Sequence, residues 1–83
     1  MRGRKAAGQK KRDEIIEMIV SYMLENGFSP TIRDIGDAVG LKSTASVYNH
    51  LEKLKEEGRL SFKNNEPRTI TIPGVVYLDQ RNQ

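Results

Sequence analysis

The stretch 31–54, with the sequence TIRDIGDAVGLKSTASVYNHLEKL, constrains the fold more than any other part of the chain. It predicts two helices joined by a tight turn at Gly40. Thr31 is a suitable N-cap for the first of them, and Asp34 follows three residues later, as in a capping box. Ser43 is a suitable N-cap for the second. We therefore expect a two-helix unit around which the rest of the chain is organised.

The second helix of this unit, predicted to run from Ser43 to about Glu57, has two different halves. At about 100° per residue, Val47, Leu51 and Leu54 share one face, which we expect to lie in the core. The outer face of the first two turns carries small or uncharged polar residues, whereas the last turns carry glutamates that DNA would repel. Only 43–49 should therefore enter a DNA groove, which is the geometry of a helix-turn-helix reader.

The segment 10–26 predicts the first helix of the domain. Its apolar residues recur at helical spacing: Ile15, Ile19, Tyr22 and Met23. We assign this stripe to the core, with Gly27 ending the helix and Phe28 folding back on the core. Gly36 and Ala38, in the second helix, are small enough for a neighbouring helix to approach closely.

Segments 60–62 and 70–72 alternate apolar and polar residues and predict two short strands around a polar turn. The predicted fold is mainly α with a small β-hairpin, a winged helix-turn-helix of three helices and a two-stranded antiparallel wing. We divide the chain into a disordered basic arm (1–9), the DNA-binding domain (10–73) and a tail or linker (74–83). The hairpin carries Lys63 and Arg68 toward the partner of the third helix, unless these charges are merely solvated.

Charge is unevenly distributed along the chain. Residues 1–12 carry six basic side chains and no acid, for a charge of +6, whereas residues 13–83 carry eight basic and eleven acidic side chains, for −3. In the arm, Arg2, Gly3 and Arg4 resemble the core of an AT-hook, which reads a narrow A·T minor groove, although Lys5 stands where proline is usual. The alternative is a solvated tail that adds non-specific attraction to phosphates.

Composition argues against several functional classes. The chain has no cysteine and one histidine, His50, so we expect no disulfide, no metal site and no cofactor. His50 lies toward the core side of its helix, which favours a packing or hydrogen-bonding role. We predict no catalytic activity, because no nucleophile–base pair or phosphate-binding glycine loop is present. No membrane span, secretory signal or small-molecule ligand is indicated, so we expect a cytoplasmic, nucleoid-associated protein.

The assembled pattern resembles the N-terminal DNA-binding domain of the bacterial LexA repressor family. The residues that carry the resemblance are Ser29-Pro30-Thr31, Arg33-Asp34-Ile35-Gly36, Val39-Gly40-Leu41, Ser43, His50-Leu51, Leu54, Gly58, Leu60, Pro67-Arg68 and Ile70. The resemblance implies a winged helix-turn-helix and a sequence-specific repressor that binds a double-stranded DNA operator. It also implies that the third helix reads bases and that the wing contacts phosphates.

Carried over by position, the base-reading residues are Ser43, Ala45, Ser46, Tyr48 and Asn49. Three of these positions depart from the family: the proteobacterial form has asparagine at Ala45 and glutamates at Tyr48 and Asn49, and the Gram-positive form has histidine and glycine at the last two. We therefore expect a different operator. Tyr48 has the alternative of packing against the hairpin. The expected phosphate contacts are Thr31, Arg33, Lys42, Thr44, Lys53, Lys63 and Arg68.

The family's C-terminal self-cleaving and dimerising domain has no counterpart in this sequence, so inducible autoproteolysis is not expected. A homodimer on a palindromic operator is a possibility that would need another contact. The apolar run 75–78 fits a strand, a dimer contact or the start of a linker. A winged helix that binds another regulator, rather than DNA, is the rival interpretation, and the −3 charge of 13–83 favours it slightly.

Overall fold

A computed structural model describes residues 7–64 and 66–74 as three helices followed by an irregular C-terminal segment. The helices are α1 (Ala7–Asn26), α2 (Ile32–Val39) and α3 (Thr44–Glu56). Helix α1 starts at Ala7 rather than at the predicted Lys10. The predictions for Arg2, Arg4 and Lys5, and for residues 75–83, lie outside the described residues.

Helix α2 begins and ends as predicted. The Thr31 hydroxyl accepts from the Asp34 backbone N–H at 3.0 Å, and the Asp34 carboxylate accepts from the Thr31 backbone N–H at 3.0 Å, which completes the capping box. At the other end Gly40 has φ of 77°, in the left-handed region, and its N–H bonds the Gly36 carbonyl.

Helix α3 is capped at both ends by groups of residues that lie close to each end in the sequence. The Ser43 hydroxyl accepts from the backbone N–H groups of Ala45, at 3.1 Å, and Ser46, at 3.4 Å. At the C-terminus the Arg59 N–H bonds the Leu54 carbonyl at 2.9 Å, while Gly58 is left-handed. This Schellman motif stops the helix and turns the chain back toward the core.

One apolar core joins the three helices to the segment that follows them. The predicted core faces of α1 and α3 are confirmed except at Tyr22, which is half-buried and lies outside the core. The buried apolar side chains are Ile15, Ile19, Met23, Ile35, Val39, Val47, Leu51, Leu54, Leu60, Phe62, Ile70 and Ile72. Phe28 is 44% exposed, so the prediction that it folds back on the core is wrong. Its ring instead meets the edge of half-buried Tyr22 at 5.9 Å between centroids.

Helices α2 and α3 pack closely because residue 36 has no side chain. A Cβ at Gly36 would lie 2.9 Å from the Leu41 carbonyl oxygen and 3.3 Å from a Val47 methyl carbon. The same Gly36 contributes its carbonyl to the turn, accepting from the Leu41 N–H at 2.9 Å. The predicted close approach of a neighbouring helix is confirmed at Gly36, where it determines how near α3 comes to α2, but not at Ala38, which is exposed.

The described residues contain no strand, so the two predicted strands are not present as such. Ser61 and Thr71 form a single antiparallel bridge with two backbone hydrogen bonds of 2.8 Å. On one side the next N–H, that of Lys63, donates to the Thr69 hydroxyl instead of a carbonyl. On the other side Pro73 has no N–H, and the helix terminus already uses the N–H of Arg59. The ladder therefore cannot extend in either direction.

We predict that Gly36→Ala lowers the free energy of unfolding by about 1–3 kcal/mol, because the new methyl group must displace a backbone carbonyl. Gly8→Ala is the matched control, since it also adds a methyl group to a helix. Its Cβ would meet mainly the flexible end of Arg12. For Gly8→Ala we expect the free energy of unfolding to rise by about 0.5–1 kcal/mol, because alanine has a higher helix propensity than glycine. Urea unfolding of both variants checks the prediction, and equal stabilisation by both would contradict it.

Candidate nucleic-acid interface

The first half of α3 presents a continuous surface of small and uncharged polar groups. Ser43, Thr44, Ala45 and Asn49 are exposed, and Ser46 is half-buried beside them. Val47 lies behind this surface in the core. The structure thus brings together the residues that sequence reasoning assigned to base readout, except Tyr48, on the outer face of one helix end.

Ser43 has a structural task within this surface. Its hydroxyl oxygen accepts two backbone N–H groups of α3, so it is oriented by the cap. Its own proton remains available to an acceptor outside the chain. Ser43 is therefore better suited to donating a hydrogen bond to a phosphate at the helix N-terminus than to bonding the edge of a base.

Tyr48 packs against the segment that follows α3. Its ring meets the edge of Phe62 at 5.8 Å between centroids, with the planes inclined by 70°. Its hydroxyl lies 3.5 Å from the Asn64 side-chain oxygen, a weak hydrogen bond. Tyr48 is half-buried. Packing against this segment was the predicted alternative to a DNA contact.

Two grooves flank the start of α3 and gather most of the expected phosphate contacts. A groove of about 380 Å³ has an apolar floor that includes Ile32 and Phe62. Five expected phosphate contacts line it: Thr31, Arg33, Thr44, Lys63 and Arg68. A second groove of about 290 Å³, between α2 and α3, adds Lys42. Lys53 lines neither groove and lies exposed farther along α3.

Arg68 has partners inside the fold that sequence reasoning did not anticipate. Its Nη1 donates to the Ser29 carbonyl at 2.9 Å and to the Tyr22 hydroxyl at 3.3 Å. Its Nη2 lies 3.9 Å from the Asp34 carboxylate, and the guanidinium stacks 4.7 Å from the centroid of the Phe28 ring. No spacing in the sequence links residue 68 to residues 22–34, so nothing in the pattern indicated this cluster.

Asp34 joins the cap of α2 to this cluster. The Thr31 backbone N–H, donating to the carboxylate, lowers the pKa of Asp34 below its ordinary value. Burial opposes this shift, and hydrogen bonds from the side chains of Thr31 and Tyr22, with the charge of Arg68, add to it. The charged carboxylate is therefore the form that the folded state prefers.

Acidic and basic groups of α1 and of the end of α3 that line neither groove form ion pairs with one another. Arg12 of α1 lies 3.6 Å from Glu57, and Arg59 lies 3.6 Å from Glu57 and 3.0 Å from Asp13. Of the glutamates expected to repel DNA in the last turns of α3, which are Glu52, Glu56 and Glu57, Glu57 is thus compensated within the fold.

His50 lies half-buried toward the start of α1. A Cβ at Gly8 would lie 3.9 Å from its Cε1 carbon. Burial lowers the pKa of His50, and the positive charges of Arg12 and Lys11 lower it further. This position agrees with the predicted packing role.

Within residues 7–64 and 66–74, no group of three or more His, Cys, Asp or Glu side chains is arranged to hold a metal ion. None of the three helices is long and apolar enough to cross a membrane in the described part of the chain.

We predict that acid unfolding depends on Asp34. Because its folded-state pKa lies below the unfolded value of about 3.9, the unfolded chain binds the proton first. The stabilisation is present above that value and is lost as pH falls toward the lower folded pKa. Urea unfolding at several pH values should show this decline in the parent chain. Asp34→Asn should be less stable at neutral pH and should lack this part of the decline.

The matched control is Asp37→Asn, which removes an exposed carboxylate from the same helix. It should leave the acid dependence close to that of the parent chain. An unchanged pH profile for Asp34→Asn would contradict the assignment.

Comparison with known proteins gives a consistent match to one family. The LexA DNA binding domain family matches residues 8–69. The LexA repressors of Ligilactobacillus salivarius and Caldicellulosiruptor saccharolyticus are both 38% identical to this chain, over 87% and 88% of it. The LexA repressor of Bacillus anthracis is 36% identical over 89% of it. The alignments cover 36% of each relative, so the chain spans about a third of their length.

The matched segment contains all of α2 and α3, every lining residue of the two grooves except Ile70, and the bridge residue Ser61. The resemblance inferred from the helix caps, the glycine turn and the core spacing is confirmed over three quarters of the sequence, since 62 of 83 residues are matched. The chain belongs to the LexA DNA-binding domain family.

Proposed function

We propose that this chain is the sequence-specific, double-stranded DNA-binding part of a transcriptional repressor. The observation that carries the proposal is the exposed first half of α3, which is free of acidic side chains and stands between two grooves that include Arg33, Lys42 and Lys63. A helix end of this size and polarity suits the major groove, and the flanking cations suit the phosphates on either side. The name of its relatives, LexA repressor, supports repression by occupancy of an operator.

Base readout is proposed for the exposed and half-buried residues that share this face. Asn49 can bond adenine N6 and N7 with its amide, and Ala45 can contact a thymine methyl group. Ser46 can serve a base or a phosphate. Ser43, oriented by the cap, is assigned a phosphate at the helix N-terminus. Tyr48 supports this surface from the side by its contact with Phe62.

Phosphate contacts are proposed for the cations and hydroxyl groups around the reading face: Thr31, Arg33, Lys42, Thr44, Lys53 and Lys63. Segment 61–71 acts as the wing, since its one bridge and buried Phe62 and Ile70 hold Lys63 beside the groove. Each of these cations should contribute about one unit to the salt dependence of binding.

A single module of this kind covers about 600–1,000 Å² of DNA, so additional contacts would raise its affinity. Two sources are proposed: pairing of two copies on a palindromic operator at the bacterial nucleoid, and the basic arm. In the arm, Arg2 and Arg4 would enter a neighbouring A·T-rich minor groove, with Lys5 beside them.

We predict that Asn49→Ala and Lys63→Ala have different effects on binding. Asn49→Ala should reduce the preference for the selected operator over random duplex by about 1–3 kcal/mol. Lys63→Ala should weaken binding to all sequences alike and lower the salt slope by about one unit. Selection of bound sites from a random pool, followed by salt titration on a selected and a scrambled duplex, measures both.

Arg59→Ala is the matched control, since it removes the same charge from a site that is ion-paired with Asp13 and Glu57. It should leave the salt slope close to that of the parent chain. If Asn49→Ala keeps full specificity and Lys63→Ala keeps the full slope, the proposed interface is wrong.

We predict that the double variant Arg2→Ala/Arg4→Ala binds more weakly, and that the loss is larger on operators with A·T-rich flanks. A narrow A·T minor groove has the more negative potential, so arginines lost from it should cost more there. Titrations on one operator with A·T-rich or G·C-rich flanks measure the difference. Equal losses of affinity on both duplexes would contradict the minor-groove contact. The role of the arm would then be non-specific attraction to phosphates.

A further inference from the structure

The turn between residues 63 and 69 is closed chiefly by the side chain of Thr69, beside one backbone hydrogen bond from the Glu66 N–H to the Lys63 carbonyl at 3.3 Å. The Thr69 hydroxyl accepts from the Lys63 backbone N–H at 2.9 Å and lies 3.0 Å from the Glu66 carbonyl, to which it can donate its proton. It also lies 3.3 Å from the Lys63 carbonyl. These bonds close the turn on itself. The position of the Lys63 backbone is therefore tied to the positions of Thr69 and of its neighbour Arg68.

Arg68, within this closed turn, and Ile70, just after it, attach the turn to the junction between α1 and α2. The Ile70 backbone N–H donates to the hydroxyl of buried Ser29 at 3.3 Å. Arg68, with φ of 60°, directs its guanidinium to the carbonyl of the same Ser29. A positive φ is unfavourable for a residue with a side chain, so the surrounding contacts must compensate for it.

The contacts of Arg68 use the particular shape of a guanidinium. Both Nη1 hydrogens have acceptors, the Ser29 carbonyl at 2.9 Å and the Tyr22 hydroxyl at 3.3 Å. The central carbon of the guanidinium lies over the Phe28 ring, 4.7 Å from its centroid, and Nη2 is 3.9 Å from the Asp34 carboxylate. A lysine ammonium keeps the charge but provides neither a planar fork nor a flat stacking face.

On its other side the turn has a weaker attachment to α3. The Tyr48 hydroxyl and the Asn64 side-chain oxygen are 3.5 Å apart, at the limit of hydrogen bonding. Phe62, just before the turn, has further contacts with α3: Lys55 Nζ lies 3.5 Å from its carbonyl oxygen and 4.9 Å from the centroid of its ring. The turn is therefore attached to the helices at two places, to the junction of α1 and α2 through Arg68 and Ile70, and to α3 through Phe62.

We propose that Arg68 is a positioning residue for DNA binding: it holds the 63–69 turn so that Lys63 reaches phosphate, and it does not itself supply a phosphate contact. This inference rests on the proposed function. It replaces the sequence-based assignment of Arg68 as a phosphate ligand, because the guanidinium is directed toward α1 and α2 by four groups of this chain.

The test compares salt slopes of binding to one selected operator for the parent chain and four variants: Lys63→Ala, Arg68→Lys, Tyr22→Phe and the double variant Lys63→Ala/Arg68→Lys. The slope counts phosphate contacts, and it is not changed when part of a sample is merely unfolded. Thermal melting of each variant sets a measuring temperature well below the lowest midpoint.

We expect Lys63→Ala and Arg68→Lys each to lower the slope by about one unit, and the double variant to lower it by about one unit rather than more. The two changes should not add, because both remove the same contact, that of Lys63. Tyr22→Phe should lower the slope in the same direction, although it changes no charge and Tyr22 lies outside the proposed interface. It is also the variant to use if Arg68→Lys does not fold.

A parent-like slope for Arg68→Lys would overturn the inference, since it would show that a positive charge alone is sufficient at this position. A larger loss in the double variant than in Lys63→Ala alone would also overturn it. If Arg68→Lys does not fold, a parent-like slope for Tyr22→Phe would overturn it as well. Failure of the parent chain to show salt-dependent operator binding would contradict the proposed function itself, which is a separate result.

Discussion

The orientation of α3 depends on the contact between Gly36 and the turn that follows α2. With no side chain at that position, the Leu41 carbonyl and Val47 come within distances that a methyl group would not permit. Val47 can then enter the core together with Leu51, which turns the opposite face of α3 outward. The exposure of Ala45 and Asn49 is therefore a consequence of the close packing of α2 against α3 at Gly36. The groove between these two helices has the same cause.

Electrostatics separate the two ends of α3. The last turn carries glutamates, and Glu57 is compensated by Arg12 and Arg59 on the side of the domain formed by α1. The first half has no acid and faces grooves that include Arg33 and Lys42. The acids behind the net charge of −3 over residues 13–83 are not confined to the end of α3, because Glu66 and Asp37 line the two grooves together with the cations.

The segment after α3 is organised by side chains where backbone pairing was expected. A single bridge joins Ser61 to Thr71, and hydroxyl groups of Thr69 and Ser29 take the next N–H groups. This arrangement attaches the segment to the junction of α1 and α2 through specific polar contacts. The two alternating segments predicted strands, and only one bridge joins them in the described residues, because alternation does not show whether the partners of the next N–H groups are carbonyls or hydroxyls.

The sequence by itself determined the three helices, both N-caps, the Gly40 turn, most of the core and the family, because these follow from local spacing. Capping and helical periodicity act over three to seven residues and are therefore visible in the chain. Only the tertiary structure decided the packing of Tyr48 on Phe62, the exposure of Phe28 and the partners of Arg68. Those contacts join residues far apart in sequence, such as Tyr22 and Arg68, so they depend on how the helices approach one another and leave no periodic signal in the chain.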